Sequence, residues 1–179
     1  LSRDLMAQVE DRRVVGEHPR GAGYRAARRR GGDRRVAVVV PGGERLGHLA
    51  PLALPGGDRA ANEPWRMAAA ALHRLGRNAE IGERFAGQQA ARAVAQMLAG
   101  DIHCPPTSSM GRMFDAAAGL LGIRSVMAYE GQAAMLMEGM AQRYGDILPL
   151  DQGWKIDQGR LDLLPLFAVL ADERDPERG

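Results

Sequence analysis

Apolar and polar positions follow three different patterns along the 179 residues. Residues 1–35 show little periodicity and much charge. Val36–Val40 is a short β-branched run stopped by Pro41-Gly42-Gly43, and it is the one segment that reads convincingly as a strand. From Asp58 onward apolar residues recur at helical spacing. Asp58 or Asn62 can cap a helix with Pro64 in its first turn, where a missing N–H costs nothing. Trp65, Ala68, Ala69, Leu72 and Leu75 then form its apolar stripe. Arg66, His73, Arg74 and Arg77 share the opposite, solvated face, and Gly76 or Asn78 ends the helix.

A second helix is expected from Glu83 to Leu98, with Ala90, Ala91, Val94, Met97 and Leu98 buried and Gly100 closing it. A third follows Pro105-Pro106, a fourth spans about Gly131 to Tyr144, and a fifth covers Leu161 to Asp172, where Pro165 sits in the first turn or bends the helix. Everything after Gly100 reads as helices joined by short loops. The pattern alone predicts a mainly α protein with a short β segment. Pro-Gly-Gly occurs at 41–43 and again at 55–57, each time followed by an acid and Arg; the simpler reading is two turns in a glycine-rich background.

Composition narrows the field further. The 45% apolar fraction suits a globular chain, but 29 alanines against 8 aromatics leave little core volume per residue. Residues 1–35 carry 10 Arg and 5 acids, or +5; residues 36–179 carry 14 basic and 17 acidic residues, or −3. The basic excess therefore belongs to the first fifth of the chain. A nucleic-acid arm is one reading of it, but only Tyr24 is available there for base stacking, so a poorly ordered or non-native segment is the preferred reading. No apolar run approaches the ~18 residues of a membrane span, and no signal-peptide order is present. The single cysteine, Cys104, fits a reducing compartment, and the four histidines have no metal-ligand spacing. These features point to a cytoplasmic protein without a membrane partner.

The stretch from Cys104 to Glu138 is the most informative. Thr107, Ser108 and Ser109 after two prolines make a strong helix start. On the following helix Met110, Met113, Phe114, Ala117, Leu120 and Leu121 fall on one side, and Ser108, Arg112, Asp115, Ala116 and Gly119 on the other. That second face mixes small and charged residues. Gly119 and Ala116 leave the backbone approachable, and Asp115 offers a carboxylate suited to ribose hydroxyls or a metal-bound water. Arg112 and Asp115 are three apart, so an intrahelical ion pair is the simpler reading from spacing alone. Tyr129-Glu130-Gly131-Gln132 makes a turn whose free N–H groups could face an anion, or an ordinary helix start. Cys104 has no evident base beyond the adjacent His103 and reads as structural. The methionines at 127, 135, 137 and 140 read as core filler.

These motifs carry a resemblance. Pro55-Gly56-Gly57-Asp58 with Glu63-Pro64-Trp65-Arg66-Met67, then Thr107-Ser108-Ser109-x-Gly111-Arg112-x-Phe114-Asp115-Ala116, then Tyr129-Glu130-Gly131-Gln132-Ala133-Ala134, are similar to consecutive signatures of the carbamoyltransferase HypF family of nickel–iron hydrogenase maturation. The resemblance covers residues 36 to about 165. It implies part of an α/β domain like Kae1 and TsaD, with the actin, Hsp70 and sugar-kinase architecture. It implies ATP and carbamoyl phosphate as substrates, a carbamoyl adenylate, and transfer of the carbamoyl group to the C-terminal cysteine of the partner HypE. The route serves the cyanide ligands of the hydrogenase iron.

By the same resemblance Asp115 and Gly131 correspond to nucleotide contacts, with Ser108 and Arg112 beside them as substrate-binding candidates. No catalytic residue is assigned. The resemblance also marks departures. The family's Asp-Gly-Thr-Gly-Tyr-Gly segment corresponds to His18-Pro19-Arg20-Gly21-Ala22-Gly23-Tyr24-Arg25, in which the acid is absent. The family's metal-binding histidine motifs and last metal-binding Asp are missing, so no metal site (zinc or another divalent ion) is expected within this chain. Three segments follow: a non-native or poorly ordered 1–35, a partial Kae1-like domain over 36–172, and a charged tail, 173–179. The chain is expected to be a fragment, with residues 1–35 partly read in a shifted frame. Two alternatives stand beside it: an O-carbamoyltransferase of secondary metabolism, which shares the domain, and a nonenzymatic module using the Arg-rich arm on nucleic acid.

Overall fold

The structure is a computed structural model that describes residues 37–39, 45–144 and 150–173. The Arg-rich segment 1–35, the first Pro-Gly-Gly turn and most of the charged tail lie outside the described residues.

The core is built around one alanine-rich helix. The chain enters through β1 (Ala37–Val39), β2 (Arg45–Leu49) and β3 (Leu52–Ala53), then turns at Gly56 and Gly57, both at positive φ, into the short α1 (Asp58–Asn62). Helix α2 (Pro64–Arg74) follows with Pro64 in its first turn, and every residue from Pro64 to Leu72 is buried. Small side chains make that possible: Ala68, Ala69, Ala70 and Ala71 occupy little volume, so neighbouring elements approach α2 from all sides. Trp65 supplies the bulk, with its ring centroid 5.7 Å from that of Phe85.

A 3₁₀ turn (Asn78–Glu80), α3 (Ile81–Arg84) and α4 (Ala91–Ala99) cover one side of α2. After β4 (Pro106–Thr107), helix α5 (Met110–Leu120) crosses it on another. The crossing is set by Gly119, where a Cβ would lie 2.5 Å from the Pro64 carbonyl oxygen and 2.8 Å from Ala68 Cβ. Helix α6 (Gln132–Tyr144) leans on α5, and α7 (Leu164–Asp172) inserts Phe167, Leu170 and Ala171 against both α2 and α5.

Four strands form a small sheet in the order β1-β2-β6-β5, where β5 is Lys155–Asp157 and β6 is Arg160–Asp162. β1 and β2 are antiparallel, β2 and β6 parallel (Leu49 opposite Leu161), and β5 and β6 antiparallel. β3 and β4 make a separate antiparallel pair.

This corrects several expectations. The strand expected at Val36–Val40 is described as Ala37–Val39, but five further strands stand beside it. Those at Pro106–Thr107, Lys155–Asp157 and Arg160–Asp162 interrupt a region read as purely helical. The helix expected over Glu83–Leu98 is two helices, because Ala86-Gly87-Gln88-Gln89 offers no apolar stripe and closes instead through successive turns. The fifth helix starts at Leu164, since Leu161 and Asp162 belong to β6. On α5 both faces are used: Met113, Ala117 and Leu120 are buried on one side, Asp115, Ala116 and Gly119 on the other. Met110 and Phe114, on the apolar side of α5, are exposed, as is Met135 on α6. Only Met127 of the four methionines read as filler is fully buried.

Candidate functional site

The basic residues of α2 are the first to be settled. Arg66 is buried; its Nε donates to Glu63 Oε2 at 2.5 Å, and Nη1 reaches the Pro55 carbonyl at 3.4 Å. Trp65 Nε1 donates to the same Glu63 oxygen, and Arg59 donates to the other. Burial works against the Glu63 charge, but the hydrogen bonds and charges of Arg66 and Arg59 outweigh it and hold the carboxyl below its ordinary range. Arg74 pairs with Asp162, Arg77 with Glu80 and Asp172, and His73 shares a hydrogen bond with Asn78. The face read as solvated is a set of tertiary ties, with Arg66 inside the protein. The Glu63-Pro64-Trp65-Arg66 spacing, an acid three residues ahead of its arginine, was the signal for that clamp.

A second polar centre forms where the end of α1, the Asp115 face of α5 and the loop before α6 meet. The last carbonyls of a helix have no intrahelical donor. Here Arg112 Nη1 donates to Ala61 O at 2.5 Å, and the Met127 N–H donates to Asn62 O at 2.9 Å. Ala118, Met127 and Ala133 close in a small apolar cluster, which brings the start of α6 to within a turn of Asp115 along α5.

Asp115 is 2% exposed. Arg112 Nη1 lies 2.7 Å from its Oδ2, so the ion pair read from the spacing forms. That contact is a close charge pair, and among the described residues the buried Oδ2 accepts no aligned hydrogen bond. Burial pushes the Asp115 carboxyl up to about 6, against the charge of Arg112 and with help from that of Glu130. The folded protein thus holds a proton on Asp115 where the unfolded chain has lost it. The contribution of Asp115 to stability is therefore greatest below the ordinary aspartate value and falls as pH rises toward about 6, by an amount on the order of 3 kcal/mol. Urea melts of the Asp115→Asn protein between pH 4 and pH 7 are expected to lack that decline.

Ser108 Oγ is also buried and unpartnered among the described residues. Ser108 lies in the turn ahead of α5, not on the helix face that carries Arg112 and Asp115, and no hydrogen bond ties it to either. Gly131 stands immediately before α6 at φ 82°, and nothing lies within 4 Å of where a Cβ would be. The turn is held by the Ala128 N–H donating to Gln132 Oε1 at 2.8 Å. The structure thus joins Arg112 and Asp115 directly, sets Gly131 and Glu130 on the adjoining loop, and leaves Ser108 apart. Glu130 was not singled out by sequence as a charge acting on Asp115. Cys104 is buried, donates to Ile102 O at 3.3 Å, and has its thiol pushed up by burial and by Asp101, which suits an unreactive structural cysteine. Among the described residues no three or more His, Cys, Asp or Glu side chains are arranged to hold a metal ion. No helix among them is long and apolar enough to cross a membrane.

The helix-dominated core with its small mixed sheet is part of a Kae1-like domain. The family model described as "Carbamoyltransferase, Kae1-like Domain, second subdomain" matches residues 34–178. The chain belongs to the HypF carbamoyltransferase family. It is 50% identical over 171 residues to Carbamoyltransferase HypF2 of Cupriavidus necator, covering 79% of this chain and 21% of that protein. It is 44% identical over 133 residues to Carbamoyltransferase HypF of Rhizobium leguminosarum, covering 74% and 17%. Two crystal structures are similar in fold. HypF of T. kodakarensis gives a TM-score of 0.59 at 26% identity over 73% of this chain and 18% of that one. Full-length HypF in a phosphate- and nucleotide-bound form gives 0.54 at 28% identity over 71% and 16%. The chain thus spans about a fifth of the length of these relatives.

Proposed function

We propose that this chain contributes one wall of the nucleotide site of a HypF-type carbamoyltransferase, and that Asp115 receives the ribose hydroxyls of ATP there. The whole reaction would convert carbamoyl phosphate and ATP to a carbamoyl adenylate and pass the carbamoyl group to the C-terminal cysteine of a HypE-like maturation protein. The observation that carries this reading is the Asp115 carboxylate. It is buried, its charge is paired by Arg112, and Oδ2 still lacks a hydrogen-bond donor. A buried acceptor without a donor is costly, and a ligand that supplies hydroxyl donors relieves the cost. A ribose diol does this. The nucleotide in the full-length HypF structure supports the same class of ligand. Gly131 keeps the loop beside Asp115 free of side-chain bulk.

Placing residues 36–172 in the matched position of the Cupriavidus necator protein tests the assignment. The chimaera is expected to sustain carbamoyl phosphate-dependent exchange of pyrophosphate into ATP. Asp115→Asn in it should lower the exchange by roughly 10-fold or more, the loss of a hydrogen bond to a charged group. Full exchange by the Asp115→Asn chimaera would refute the role. The 179-residue chain alone is expected to give no exchange.

A further inference from the structure

We propose that Arg112 is a positioning residue for Asp115 and not an anion ligand: it ties the end of α1 to α5 and fixes a positive charge beside the carboxylate while leaving Oδ2 open as an acceptor. The nucleotide half of this inference rests on the reading above; the half that concerns Asp115 itself does not.

Three observations carry it. The Arg112 side chain is 13% exposed, which leaves little of it to meet a phosphate. Its Nη1 already serves two acceptors, Ala61 O at 2.5 Å and Asp115 Oδ2 at 2.7 Å. Ala61 O is one of the carbonyls at the end of α1, where the partial charge is negative, so the guanidinium sits between a helix C-terminus and a carboxylate. A phosphate drawn to Nη1 would have to displace both. No aligned hydrogen bond from Arg112 fills Oδ2, so Asp115 gains the charge of Arg112 and keeps acceptor capacity.

The groups acting on Asp115 are Arg112 from its own helix and Glu130 from the loop before α6, with burial on every side. Glu130 and burial both favour the protonated carboxyl; Arg112 alone opposes them. Without Arg112 the carboxyl would keep its proton at neutral pH and offer a hydroxyl where ribose needs an acceptor.

The test is a pH titration of the ¹³C carboxyl signals of the full chain, with the Asp115 signal assigned by its loss in Asp115→Asn. The wild-type midpoint is expected near 6. Arg112→Gln, which can still donate to Ala61 O, and Arg112→Met should each raise it by about one unit or more, and Arg112→Lys should return it to within about half a unit of wild type. ATP affinity of the neutral variants should fall at about pH 7 by roughly 2-fold for a one-unit rise and roughly 10-fold for a two-unit rise, and recover most of that loss by about pH 8.5, whereas loss of a phosphate ligand would weaken binding equally at every pH. An unmoved Asp115 midpoint in folded Arg112→Gln would overturn the proposal, as would a pH-independent loss of ATP affinity. A midpoint that moves in protein that never responds to ATP would uphold the positioning role and reject the nucleotide reading instead.

Discussion

Gly119→Ala is expected to destabilise the protein by about 3 kcal/mol, lowering Tm by roughly 6–12 °C. The added methyl would have to occupy space 2.5 Å from the Pro64 carbonyl oxygen and 2.8 Å from Ala68 Cβ. Neither is the free end of a flexible side chain: one is backbone, the other the first atom of a buried alanine on α2. Relief requires α2 and α5 to move apart, and that separation loosens the packing of Phe167, Leu170 and Ala171 of α7 against both. The control is Gly111→Ala in the first turn of the same helix, where the nearest atom is Ser109 Oγ at 3.6 Å. There the methyl fits and helix propensity favours alanine, so stability should hold or rise by up to about 1 kcal/mol. Differential scanning calorimetry of both proteins separates crowding at the crossing from a general intolerance of α5.

Glu63→Ala should cost a similar amount or more, about 3–5 kcal/mol by urea denaturation. Removing the carboxylate leaves Arg66, its side chain 4% exposed, with a long contact to Pro55 O and the face of the Trp65 ring but no anion, and strips the partner from Trp65 Nε1. An unpaired buried cation is the largest part of that cost, so Glu63→Ala combined with Arg66→Met should recover much of it. Glu63 is held below its ordinary value, so its contribution is present above the unfolded carboxylate range and is lost as pH falls through the folded value. Acid should therefore destabilise the wild type by more than it destabilises Glu63→Ala.

The helices were legible because their apolar spacing is strong. The Trp65–Leu72 stripe and the run that becomes α6 lie where the pattern puts them, whereas Thr107 belongs to β4 and α5 begins after Ser109 with no side-chain cap. The motifs of the family were equally legible, and the Arg112–Asp115 pair followed from spacing. Most of the sheet was hidden because its strands are three to five residues long and two of them, Lys155-Ile156-Asp157 and Arg160-Leu161-Asp162, are mostly charged and show no apolar run. Their one signal was the intervening Gln158-Gly159, both at positive φ, as a two-residue hairpin turn of the primed type requires. The burial of Arg66 was hidden for another reason. Periodicity places a residue on a face, but α2 is covered on nearly every face, so its polar side had to be satisfied inside the protein. The same holds for α5, where the small-residue face is the one that meets α2, and Met110 and Phe114 are left outside.

The central claim is that Asp115 accepts the ribose hydroxyls of a nucleotide, and the Asp115 carboxyl signal reads it directly. Titrating the full chain with ATP should move that signal and bring its midpoint below the value of about 6 held without ligand, because hydroxyl donors favour the carboxylate. The 2′,3′-dideoxy nucleotide, with the same base and phosphates but no hydroxyl to donate, should leave it where it was. An equal response to both nucleotides, or a response to neither, would contradict the account.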